Sequence, residues 1–151
     1  MKKTLLFLVF ITTLIHTEDF DTYLQNFDYK ARKDMKISTY EMLELVANNK
    51  AQLIDIRFKE EFEAWHMGFA KNIPLNELPS RLNELDKNKL IVTACPHNDR
   101  ANIARIFLYL KGYRVKYLSD GLLKTADNLR GDRAQEFIQE INKKINKCDN
   151  H

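Results

Sequence analysis

Apolar positions along this chain fall in short runs separated by amphipathic stretches. Leu53-Ile54-Asp55-Ile56, Leu90-Ile91-Val92-Thr93-Ala94 and the segment from Val115 to Leu118 are β-branched or aromatic and of strand length. Lys36-Ile37-Ser38 and Ala70–Ile73 predict two briefer strands, the second stopped by Pro74. Between them the period becomes helical. Ser38 with Glu41 three residues on has capping-box spacing and opens a helix whose buried face is Met42, Leu43, Leu45 and Val46. A short helix is expected around Glu60 to Trp65, and Leu78, Leu82 and Leu85 mark a helix face running to Asp86. From Arg100 to Lys111 the pattern is apolar on nearly every side, predicting a heavily buried helix with Gly112 at its left-handed cap. Asp120-Gly121 reads as a turn, and helices over 122–129 and 134–147 finish the chain. Strands alternating with helices predict an α/β fold, a parallel sheet of about five strands with helices on both faces. Sites in such sheets lie beyond the C-terminal ends of the strands.

The two ends differ from the middle. Lys2-Lys3 followed by Thr4 to Ile15, almost wholly apolar, has the charge and length of an export signal and is too short for a comfortable membrane span. No A-x-A site stands between Ile11 and Glu18, so the segment is read as a signal peptide over 1–17 or, left uncleaved, as a membrane anchor. Either way the expectation is an exported protein of the bacterial periplasm. Residues 18–35 are polar with scattered aromatics (Phe20, Tyr23, Phe27, Tyr29), an arm or short helix laid on the domain. The domain itself is expected over 36–130, with a C-terminal helix and tail over 131–151.

At 151 residues the chain is long enough for one real core. Its net charge is +3, of which Lys2 and Lys3 supply two, so the remainder is nearly balanced. That balance gives no electrostatic case for nucleic acid, and no basic stripe is interleaved with aromatics. Two cysteines, Cys95 and Cys148, are too few for a disulfide framework, although they could form one bridge.

The chemistry concentrates in Cys95-Pro96-His97-Asn98-Asp99-Arg100, between the strand at 90–94 and the helix from Arg100. A tight loop at a helix N-terminus collects backbone N–H groups and the positive end of the helix dipole, both of which favour a thiolate. Arg100 can pair with a bound anion. These residues point to a nucleophilic cysteine acting on an anionic substrate, against the plainer alternative of a buried cysteine ending a core strand.

Two stretches together resemble the rhodanese domain. The first is Leu53-Ile54-Asp55-Ile56-Arg57, then Glu60-Glu61-Phe62, His66 and Ala70-x-Asn72-Ile73-Pro74. The second is Cys95-x-x-x-x-Arg100-Ala101, with Lys111-Gly112-Tyr113, Tyr117-Leu118 and Asp120-Gly121-Leu122. The resemblance runs from about residue 36 to 125. It implies a sulfurtransferase in which Cys95 attacks a sulfane sulfur, carries it as a persulfide and passes it to a thiol or other nucleophile. The donor would be thiosulfate, polysulfide or another persulfide. By position, the amides from Pro96 to Arg100, proline excepted, would cradle the outer sulfur. Arg100 would orient the loop or meet the donor. No cofactor is implied. The family often has glycine where Asn98 stands, and asparagine tolerates the left-handed region that glycine would use. Asp99 sets a negative charge beside the sulfur and should blunt its acidity.

Other candidates carry less. Asp55, Arg57 and Glu61 read as structural charge pairs and His66 as a satisfied structural histidine, whereas His97 could bind anions when protonated. Cys148 and His151 supply only two metal-type ligands on a tail, so no metal site is expected. Three other functions compete. A cysteine phosphatase needs Cys-x5-Arg around a phosphate, where this chain has Cys-x4-Arg. A non-catalytic sulfur-sensing or binding module would not need Cys95. A redox protein would pair Cys95 with Cys148.

Overall fold

The computed structural model describes residues 19–148, with side chains through Lys143. The expected export segment, His151 and the Cys148 side chain therefore lie outside the described residues.

Five strands form one sheet: β1 (Lys36–Ile37), β2 (Ala51–Asp55), β3 (Lys71–Asn72), β4 (Leu90–Ala94) and β5 (Val115–Leu118). Their spatial order is β1-β5-β4-β2-β3, and every pairing is parallel. The central strand β4 sits between β2, where Asp55 lies opposite Ala94, and β5, where Tyr117 lies opposite Thr93. Strand side chains alternate between faces. Val92 and Ala94 therefore enter one core with Leu53, Met42, Leu118 and Leu122. Ile91 and Cys95 enter the other with Ile54, Ala101, Ala104 and Leu108. Both cores are apolar, and each fully buried Ile, Leu or Val contributes on the order of 1.5–3 kcal/mol.

The helices are α1 (Phe20–Gln25), α2 (Tyr29–Asp34), α3 (Thr39–Ala47), α4 (Lys59–Ala64), α5 (Asp99–Leu110), α6 (Gly121–Asn128) and α7 (Asp132–Cys148). Ser38 closes the capping box read from the sequence: its hydroxyl accepts from Glu41 N–H, and the Glu41 carboxylate accepts from Ser38 N–H at 3.1 Å. The N-terminal arm is two short helices, capped by the side chains of Asp19 and Asp28. It is anchored by Tyr23, whose hydroxyl accepts from Arg105 and whose ring packs on Tyr109, with the Arg105 guanidinium beside both rings. Gly112 ends α5 at φ 77°, as its spacing predicts.

Three expectations need correction. The helix marked by Leu78, Leu82 and Leu85 is two 3-10 turns, Leu78–Ser80 and Leu82–Glu84. Arg81, at φ −116° and ψ 20°, leaves the helical region between them, and each turn closes on i→i+3 bonds, Arg81 N–H to the Leu78 carbonyl and Leu85 N–H to that of Leu82. The helix from Asp99 is not buried all round: Ala101, Ala104, Arg105 and Leu108 face the core at i, i+3, i+4 and i+7, while Ile103 is 58% exposed. The strand expected over 70–73 pairs only through Lys71 and Asn72. Among the described residues no helix is long and apolar enough to cross a membrane.

Candidate active site

Cys95 is the first residue past β4, on the same face of the sheet as Ile91 and Thr93. Two hydrogen bonds fix its strand. The Ile56 N–H donates to the Ala94 carbonyl at 3.0 Å, and the Thr93 hydroxyl donates to the Ala101 carbonyl at 2.8 Å. The second pins the start of α5 to the strand that feeds it, so the intervening residues must turn tightly.

A second support comes from α6. Leu122 N–H donates to the Cys95 carbonyl at 2.9 Å, and Leu123 N–H to the Pro96 carbonyl at 3.3 Å. Gly121, at φ 73°, makes this approach possible: a Cβ there would lie 2.3 Å from the carbonyl oxygens of both Pro96 and His97. The Cys95 and Pro96 carbonyls are thus spent on α6. The backbone N–H groups of Ala101 and His97 favour the Cys95 thiolate, and that of Arg100 favours the Asp99 carboxylate.

Asn98 caps α5 in position only. Its φ is −156°, outside the left-handed region expected for a residue standing in for glycine, and its side-chain amide donates to the Ser119 carbonyl at 3.2 Å. The tether to the segment before α6 holds the loop without that conformation.

The sulfur is fully buried and carries a free thiol. Burial pushes the Cys95 thiol above its ordinary value, the Ala101 and His97 amides pull it down, and the Asp99 carboxylate pushes it up again. Burial wins, which corrects the expectation of a lowered thiol. The Cys95 S–H donates to Asp99 Oδ1 at 3.4 Å. Asp99 is itself held below the usual carboxylate range, first by the Arg100 N–H and then by this S–H. His97, Asn98 and Asp99 are exposed and Pro96 is half-buried, so the loop's polar side chains stand between the sulfur and solvent.

Arg100 is already engaged. Its two terminal nitrogens donate to the two oxygens of Glu61 at 2.7 and 2.9 Å, a bidentate pair joining α5 to α4. Glu61 also accepts from the Phe58 N–H at 3.2 Å, which fixes the start of α4. Of the two roles expected for Arg100, orienting the loop is the one this geometry serves. Glu61, read from the sequence as one of a structural charge pair, is paired here, and its partner Arg100 is what the sequence did not disclose.

The remaining charged residues are structural. Arg57 is buried, forks onto Asp55 with contacts of 2.7–3.0 Å, and also donates to the carbonyls of Glu61 and Trp65. Its guanidinium lies 4.2 Å from the Trp65 ring. His66 is exposed, with Nδ1 at 2.9 Å from the Phe62 carbonyl and its ring stacked on Phe62. Among the described residues no group of three or more His, Cys, Asp or Glu could hold a metal ion. A cavity of about 810 Å³ between α3, α6 and α7 is lined by none of residues 95–100.

Comparison with known proteins agrees with this architecture. The sequence matches the rhodanese-like domain over residues 38–128. Protein YqhL of Bacillus subtilis is 35% identical over 85 residues, which cover 56% of this chain and 68% of YqhL. The reduced CoADR-RHD protein of Bacillus anthracis superposes with a TM-score of 0.57 at 32% identity, over 62% of this chain but only 17% of its own. The thiosulfate sulfurtransferase of Pseudomonas aeruginosa gives 0.54 at 22% identity, over 62% of this chain and 19% of its own, a likeness of fold. The five-stranded parallel sheet, the cysteine loop closing its central strand and a family match across more than half of the sequence lead to one assignment: the chain belongs to the rhodanese-like domain family.

Proposed function

We propose that the chain is a rhodanese-type sulfurtransferase that carries sulfane sulfur on Cys95 as a persulfide and passes it to a thiol acceptor. The observation that carries this reading is the free, buried Cys95 thiol at the end of β4, on a loop whose Cys95 and Pro96 carbonyls are bound by α6 and beside the start of α5. An outer sulfur on Cys95 would be anionic in part, and amides stabilise such charge without a fixed cation that would trap it. Pro96, His97, Asn98, Asp99 and Arg100 form the binding loop in this reading, with Arg100 acting through its pair with Glu61.

A second reading is favoured by one specific observation. The sulfur is fully buried and its thiol is pushed up, which also suits a non-catalytic sulfur-sensing or binding module. Steady-state transfer separates the two. With polysulfide or thiosulfate as donor and a small thiol as acceptor, the wild-type protein should turn over many times and Cys95→Ser not at all. Equal rates for the two proteins would favour the module.

The setting we propose is outside the cytoplasm, on the strength of Lys2-Lys3 and the apolar run to Ile15. Fusing residues 1–17 to a reporter active only after export should give signal. A full-length chain recovered soluble from the cytoplasm would refute that setting.

A further inference from the structure

Two charged side chains of the loop, besides the titratable His97, set the field around the Cys95 sulfur, and the structure treats them differently. Arg100 is neutralised: both terminal nitrogens are bound to Glu61, at 2.7 and 2.9 Å. Among the described residues Asp99 pairs with no side-chain cation, and its Oδ1 stands 3.4 Å from Sγ. A donor approaching Cys95 through the exposed side of the loop therefore meets a carboxylate. Thiosulfate is a dianion, and displacing it leaves sulfite, also an anion, beside the same carboxylate. A hydropersulfide is largely R–S–S− at neutral pH, yet it brings one negative charge where thiosulfate brings two, and its protonated fraction, R–S–SH, brings none.

We propose, building on the sulfurtransferase reading, that Asp99 makes Cys95 selective for hydropersulfide donors over dianionic ones such as thiosulfate. Cys95 Sγ forms a bond to the terminal sulfur of R–S–SH. The donor's S–S bond breaks, and its electron pair leaves with the R–S sulfur. The proton of Cys95 is released to solvent, and the leaving thiolate takes up a proton in return. The products are R–SH and Cys95–S–SH; nothing is oxidised or reduced overall, and no co-reactant is required. Asp99 is exposed, so the repulsion is weakened by salt.

The experiment measures the rate at which Cys95 gains one sulfur, by mass spectrometry of the intact protein. The donors are cysteine hydropersulfide and thiosulfate, each at low and high ionic strength. Wild-type protein should load from the hydropersulfide faster by at least about tenfold, since one unfavourable charge contact at this distance is worth on the order of ten- to a hundredfold near a protein surface. Asp99→Asn should accelerate loading from thiosulfate and narrow that ratio, and Asp99→Ser should do the same if asparagine disturbs the loop. Added salt should narrow the ratio in the wild type and leave it unchanged in Asp99→Asn. Glu61→Gln, which loosens the hold on Arg100, should also favour thiosulfate. A ratio unchanged by Asp99→Asn and Asp99→Ser, or thiosulfate as the faster donor for the wild type, would overturn the selectivity and leave the sulfurtransferase reading intact. No sulfur on Cys95 from either donor in any variant would overturn both.

Discussion

At Cys95 two opposing influences meet: the N–H groups of His97 and Ala101 favour a thiolate, while burial and the Asp99 carboxylate favour the thiol, and the second pair prevails. Only the thiolate alkylates, so the sign of the pH dependence follows. Alkylation of Cys95 by iodoacetamide should be slow at neutral pH and climb above about pH 8.5, the range of an ordinary thiol. Asp99→Asn removes one influence that raises the thiol, so its curve should lie at lower pH than the wild type's. A wild-type rate already at plateau in mild acid would show that the amides prevail instead. Arg57 offers a sharper test of structure than of chemistry. It and Asp55 are 1% and 0% exposed, and Arg57→Ala would leave a buried carboxylate without its partner. Urea unfolding should show a loss of about 3–5 kcal/mol. A loss below 1 kcal/mol would mean that Asp55 finds other donors.

The elements place the loop by tertiary contacts, and this decides what could be read in advance. β4, the Ser38 cap and the αL glycine at 112 are local patterns, and each is found where its spacing puts it. Cys95 at a strand end followed by a helix was legible for the same reason. The Arg100–Glu61 pair joins positions 39 apart, and Asn98 reaches Ser119 across 21; no periodicity links such residues. The Leu78–Leu85 spacing is helical, yet the backbone breaks at Arg81 and the segment forms two 3-10 turns. Gly121 looks like an ordinary turn residue until the loop carbonyls are seen 2.3 Å from where its Cβ would be. Gly121→Ala should therefore displace the cysteine loop and abolish sulfur transfer. The left-handed conformation alone costs about 1–2 kcal/mol, before any clash. Gly112→Ala has the same φ penalty with nothing within 4 Å of the new Cβ, so it should lower the melting temperature and spare transfer. Equal activities in the two variants would remove α6 from the account of the site.

For the molecule as a whole, the parallel sheet brings β4 to its centre, α5 and α6 close around its C-terminal end, and α4 is tied across by Glu61. The loop is restrained from outside itself, by Leu122 and Leu123 on its carbonyls, by Ser119 on Asn98 and by Glu61 on Arg100. The arm at Tyr23 and the helix α7, where Phe137 meets Phe69, extend the fold beyond the family match without entering the site. The central claim is that Cys95 carries the sulfur. It is tested most directly by treating the purified protein with a sulfane-sulfur donor, digesting it without reductant and measuring the mass of the Cys95 peptide. The account predicts one added sulfur on that peptide, absent from Cys95→Ser and discharged when a thiol acceptor is supplied. An unmodified Cys95 peptide after exposure to hydropersulfide, polysulfide and thiosulfate alike would contradict it.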